Sequence, residues 1–145
     1  MLQIPRTIYD QIRQHGEADY PHECCGILLG ALTPEAKSVL QVIPTPNASP
    51  TPTRHYEIAP KDLIRILREA HAAGREVLGF YHSHPDHPAQ PSTTDLAEAH
   101  WLGCSYLITA VMQGHAIATN SFHLAGITEE NKHFEAQDIL IAESI

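Results

Sequence analysis

The sequence predicts one α/β domain, a central sheet sandwiched between helices, on the strength of three observations. Short runs of bulky apolar residues, CGILLGAL, VLGFYH and SYLITAVM, have the length and composition of buried strands. Two other stretches repeat apolar residues at helical spacing, Ile4, Ile8 and Ile12 in one and Leu63, Ile64, Leu67, Ala70 and His71 in the second. The two kinds of segment alternate along 145 residues, enough chain for one core and too little for two, so a single domain is expected over 1–145.

In order, the Ile4 to His15 stretch predicts an N-terminal helix that Gly16 ends. Tyr20, Pro21 and His22 form a loop, and Glu23 stands at the entrance of the CGILLGAL strand. A strand over Ser38 to Ile43 leads into PTPNASPTPTR, a loop expected to be exposed and mobile and to clamp an extended partner. HYEIAP predicts a short strand and turn. Pro60 suits the first position of a helix running to Ala73, with Gly74 as its stop. VLGFYH follows as a strand, and STTDLAEAHW as a helix with Ser92 as N-cap, Asp95 in its first turn and Leu96, Ala99 and His100 at helical spacing. SYLITAVM is a buried strand, while 121–125 and 133–140 are weaker, edge strands. The total is two or three helices interleaved with about six strands.

Composition narrows the function. Apolar residues make up 43% of the chain, as in ordinary globular proteins. A formal charge of −8 with only 9 Lys and Arg argues against a nucleic-acid or anionic-membrane partner. No apolar run long enough to span a bilayer or serve as a secretory core occurs. The 3 cysteines contain no C-x-x-C, so neither a disulfide framework nor a thiolate cluster is indicated, and the cytoplasm is the expected setting. Cys24, Cys25 and Cys104 read as small buried hydrophobes. Exposed edge strands leave a homodimer open.

The chemistry concentrates in HSHPDHPAQPSTTD. His82 and His84 lie two apart at a strand end, so their rings point to the same side. Asp95 follows on the next helix, across a loop whose prolines hold its shape. Ser92 and Asp95 form an S-x-x-D pair that can cap a helix, and capping leaves one carboxylate oxygen for a metal. Two imidazoles and a carboxylate supply three ligands and leave a fourth position for water, the pattern of catalytic zinc. A metal-activated water needs a base, and Glu23, at the rim of a strand that can lie beside 77–82, is the candidate. His15, His71, His100, His115, His123 and His133 read as scattered histidines without a role.

Glu23 in ECCGILLG together with HSHPDHPAQPSTTD resembles the JAMM (MPN+) metalloprotease motif: a distant glutamate, then H-S/T-H-P, six residues and S-x-x-D. Every position is filled. The resemblance runs from the N-terminal helix to SYLITAVM and is greatest to the compact prokaryotic branch. It implies a cytidine-deaminase-like fold with a central mixed sheet flanked by helices. It further implies one zinc per chain held by His82, His84, Asp95 and a water, with Glu23 as acid/base and Ser92 as oxyanion stabiliser. The implied substrate is a ubiquitin-like or sulfur-carrier protein, cleaved after its C-terminal Gly-Gly to release cysteine, an extension or a conjugated protein. A diglycine tail could add as a strand beside Tyr56, Glu57 and Ile58.

Two rival readings stand beside this one. HSHPDH also matches the H-x-H-x-D-H of metallo-β-lactamase-like hydrolases, in which Asp86 and His87 would hold a second zinc. A non-catalytic MPN-type scaffold would bind the same partners without cleaving them.

Overall fold

The computed structural model describes residues 1–143, so the expected 1–145 domain runs past them at its C-terminus. The elements are β1 (Leu2–Pro5), α1 (Arg6–Asp19), β2 (Cys25–Leu32), β3 (Lys37–Thr45), α2 (Pro60–Ala72), β4 (Glu76–Pro85), α3 (Thr93–Glu98), β5 (Ser105–Met112), β6 (His115–Ala125), β7 (His133–Gln137) and β8 (Ile139–Ala142). The eight strands of the described residues form one mixed sheet in the order β7-β6-β5-β4-β2-β3-β1-β8. The expected α/β architecture, a central mixed sheet flanked by helices, is what forms.

Alternation along the strands supplies both halves of the core. Leu28 and Tyr81 turn toward Ile8 and Ile12 of α1, joined by Leu78, which an irregularity in the β2–β4 register puts on the same face. Ile27, Leu29 and Phe80 turn to the opposite face, against Ile66 and Ala70 of α2. Because the sheet is covered on both faces, its inner strands read as continuous apolar runs. No described helix is long and apolar enough to cross a membrane.

Several expectations are corrected. Ile4 belongs to β1, paired in parallel with β8, so the three-isoleucine stripe crosses a strand and a helix that bury the same face. Gly16 does not end α1, which continues to Asp19. A Cβ there would meet Val111 Cγ2 at 3.1 Å and Ser83 Cβ at 3.4 Å, so the glycine serves close approach of helix to sheet. In α2 the buried pair is Ile66 and Ala70, while Ile64 is 49% exposed and His71 faces solvent. HYEIAP forms no strand. Nor is the 44–54 loop free of anchors: the Asn47 amide donates to the carbonyls of Glu23 and His55, each at 3.0 Å, and Ser49 is buried.

The expected 133–140 strand divides at Asp138 into β7 and β8, which pair with β6 and β1 at opposite edges of the sheet. One residue separates the two edges, so the sheet curls until they meet. Lys37 of β3 ties the closure, its ammonium donating to Gly103 O at 2.6 Å and Ser105 Oγ at 2.8 Å. β6, expected at an edge, runs from His115 and lies inside the sheet.

β4 and β5 are parallel, with α3 in the connection between them. That crossover carries α3 past the carboxyl end of β4, where open α/β sheets place their ligand sites.

Candidate metal centre

Phe80, His82 and His84 project from one face of β4, and Tyr81 and Ser83 from the other. Phe80 goes into the core beneath α2, which leaves the two imidazoles at the strand's end. Ser92 begins α3 with a complete capping box: its Oγ accepts from Asp95 N at 3.0 Å, and its own N–H donates to Asp95 Oδ2 at 2.9 Å. The cap aims the Asp95 carboxylate back at β4. His82 Nε2 then lies 3.3 Å from Asp95 Oδ1, His84 Nε2 lies 3.0 Å from Asp95 Oδ2, and the two Nε2 atoms are 3.1 Å apart.

These separations suit a metal. Ligand atoms 2.0–2.1 Å from a tetrahedral ion lie about 3.3 Å from one another. The tautomer suits it too, because His84 Nδ1 donates to Pro88 O at 2.9 Å and so leaves Nε2 with its lone pair toward the cluster. His82 is buried, and its Nδ1 has no partner among the described residues. Burial pushes the Asp95 carboxyl up, but in the metal-free chain the close His82 and His84 rings, and the Ser92 N–H, outweigh it and hold the group well below the usual carboxylate range, as a bound cation would. Burial likewise keeps the His82 imidazole low and favours the neutral ring that a cation needs.

Glu23 precedes β2, which pairs with β4 so that Cys25 lies opposite His82. It is only 5% exposed, and Oε1 is buried without a partner among the described residues. Desolvation pushes the carboxyl up to about 8, the nearby His84 opposing the rise. The covering comes from the loop after β3, where Pro52 O accepts from Glu23 N at 2.7 Å. Glu23, His84 and Ser92 line one cavity of about 360 Å³, together with Arg54.

The remaining predicted residues fall elsewhere. Tyr56, Glu57 and Ile58 line a second cavity, about 370 Å³, together with Trp101 and Tyr106. Tyr56 also stacks on the His82 ring, centroids 4.4 Å apart, and so borders the metal cluster. Asp86 is turned away from it, its carboxylate accepting from the Tyr20 hydroxyl at 2.6 Å and Gln113 N at 2.8 Å. Among the described residues the grouping that could hold a metal consists of His82, His84 and Asp95, so the dinuclear reading loses its second site. Sequence reasoning missed Arg54, the Pro88 carbonyl and the stacking of Tyr56. The H-S-H-P spacing hinted at a turn after His84, and nothing in the Pro- and Thr-rich 46–54 stretch marked Arg54.

A family model described as prokaryotic homologs of the JAB domain matches residues 5–124. A desampylase of Haloferax volcanii is 37% identical over 102 residues, covering 70% of this chain and 72% of that protein. The CysO-cysteine peptidase of Mycobacterium tuberculosis is 28% identical over 133 residues, 90% and 88% of the two chains. A solution structure of a protein from Desulfitobacterium hafniense superposes with a TM-score of 0.85 at 25% identity, covering 100% of this chain and 95% of that one.

Proposed function

The chain belongs to the family of prokaryotic homologs of the JAB domain, and from that membership we propose that it is a zinc-dependent peptidase or isopeptidase acting after the C-terminal Gly-Gly of a ubiquitin-like or sulfur-carrier protein. The observation that carries the reading is the convergence of His82, His84 and Asp95 beside a buried carboxylate, Glu23, that faces the same cavity. The two relatives' names span both substrate types, a protein conjugate and a carrier with a terminal cysteine.

Zinc held by His82 Nε2, His84 Nε2 and Asp95 would supply a Lewis acid for the scissile carbonyl and an acidified water. Glu23 accepts a proton from that water as its oxygen bonds to the glycyl carbonyl carbon, then returns a proton to the departing nitrogen as the C–N bond breaks. Burial raises the Glu23 carboxyl in the metal-free chain, and the charge of a bound zinc beside it would lower it again, toward the range in which one group both accepts and returns a proton near neutral pH. Ser92 Oγ accepts the Asp95 N–H as a cap, so its own hydrogen stays free to donate to the carbonyl oxygen as charge develops there.

The tail would run along Tyr56 to Ile58. Glu57 turns its N–H and C=O inward, to Asn47 Oδ1 at 3.0 Å and Ala48 N at 2.8 Å. Backbone groups alternate in direction along an extended segment, so those of Tyr56 and Ile58, unpaired among the described residues, point the other way. They offer a short template for strand addition.

Intact-mass spectrometry of diglycine-tailed carrier fusions, incubated with zinc-loaded protein, tests the proposal. Scission after the second glycine is expected, to be abolished by a chelator and restored by zinc. Binding of the tail without scission would instead make the protein a scaffold.

A further inference from the structure

Resting on that reading, we propose that Arg54 is a carboxylate-binding residue for the leaving group, so that the site favours substrates releasing an α-amino acid or a short peptide over those releasing a protein lysine. Direction comes first. A general acid must stand within hydrogen-bond reach of the nitrogen it protonates, so the leaving amine lies on the side of Glu23. Glu23 lines the cavity of about 360 Å³ and not the Tyr56 groove. A tail held along Tyr56 to Ile58 therefore sends its leaving group into the Glu23 cavity.

That cavity carries its Arg or Lys charge on Arg54. Arg54 makes no ion pair with any described carboxylate, a state it shares with Arg13, Arg68 and Arg75, and what sets it apart is its place at this cavity. Its position is set by the same contacts that bury Glu23. Arg54 N closes a turn on Thr51 O at 3.2 Å, inside which Pro52 O holds Glu23 N at 2.7 Å. The Asn47 amide then joins Glu23 O to His55 O, each at 3.0 Å, so the backbone on both sides of Arg54 is fastened to the backbone of Glu23. Those contacts fix the backbone, and the exposed guanidinium at the cavity's edge can turn to meet a carboxylate in a bidentate way. An α-amino acid presents its carboxylate one carbon from the amine just released. A lysine side chain presents only methylenes there, followed by the bulk of a folded protein. The cavity volume is suited to a small group.

The test uses acetyl-Gly-Gly-Ala as the free acid and as its C-terminal amide. Their dissociation constants from the full metal-free chain are measured by NMR titration, which keeps hydrolysis and carboxylate–metal contacts out of the comparison. The acid is expected to bind at least tenfold more tightly, with Arg54→Ala bringing the two within twofold and Arg54→Lys retaining part of the preference. Equal binding to the unaltered protein, or a preference that survives Arg54→Ala, would overturn the proposal. Zinc-loaded protein is then assayed on both peptides. Hydrolysis of neither, with the binding preference intact, removes the peptidase reading and leaves the carboxylate site. Equal hydrolysis of both with no binding preference does the reverse.

Discussion

At the residue scale the site was partly legible. His82, His84 and Asp95 follow from local rules, strand alternation for the histidines and a capping box for the aspartate, and local rules survive without knowledge of the rest of the fold. Glu23 was visible as a residue, but its burial was not, because the covering comes from Pro52 and Asn47 in a loop that composition marks only as exposed. That burial gives a prediction with a definite sign. The Glu23 carboxyl is raised from an ordinary 4.5 to about 8, so the unfolded chain gives up this proton first as pH rises. The contribution is fully present below about 4.5 and declines until about 8, weakening the metal-free protein by up to a few kcal/mol. Urea unfolding at several pH values should show Glu23→Gln lacking this component, whereas identical pH slopes for the two proteins would contradict the burial argument. Ser92→Ala removes a cap, at about 1 kcal/mol of stability, and a donor to the developing oxyanion, at about 2.7–4 kcal/mol of barrier. The variant should keep its zinc and lose kcat by a hundredfold or more; undiminished kcat would take Ser92 out of the chemistry.

At the element scale, the buried strands and the Pro60 helix were readable because both faces of the sheet are covered and each strand is apolar throughout. What failed were junctions. Ile4 and Ile8 bury the same face although one is in β1 and the other in α1, and spacing alone cannot tell a bend from a continuing helix. The division of 133–140 depends on which edges Gln137 and Ile139 find, a non-local matter that no short window records. The element on which the site most depends is β4, which carries both histidines and pairs in parallel with β5. A Cβ on Gly79 would fall 1.8 Å from Ser105 O and 2.7 Å from its carbonyl carbon, where only backbone could yield. Gly79→Ala should therefore cost about 3 kcal/mol or more, measured by denaturant midpoint, and should weaken zinc binding with it. A variant with stability and zinc affinity unchanged would mean that the β4–β5 spacing is looser than described.

For the whole molecule, the curl of the sheet, the α3 crossover and the loop folded over Glu23 together place His82, His84, Asp95 and the Glu23 carboxylate at one strand end from segments far apart in sequence. Composition argued against nucleic acid and membrane as partners, but it could not show that Arg54 would line the cavity beside Glu23 without a described carboxylate partner. Zinc binding should stabilise the fold by about 2.7 kcal/mol at a hundred times its dissociation constant, since a site assembled from distant segments exists only in the folded chain. The most direct test of the centre itself is X-ray absorption at the zinc edge, on protein loaded with one equivalent of the metal. The geometry predicts nitrogen and oxygen neighbours at about 2.0–2.1 Å with the signature of two imidazoles, and no sulfur. Sulfur scattering at about 2.3 Å, or a second metal at about 3.5–4 Å, would contradict it.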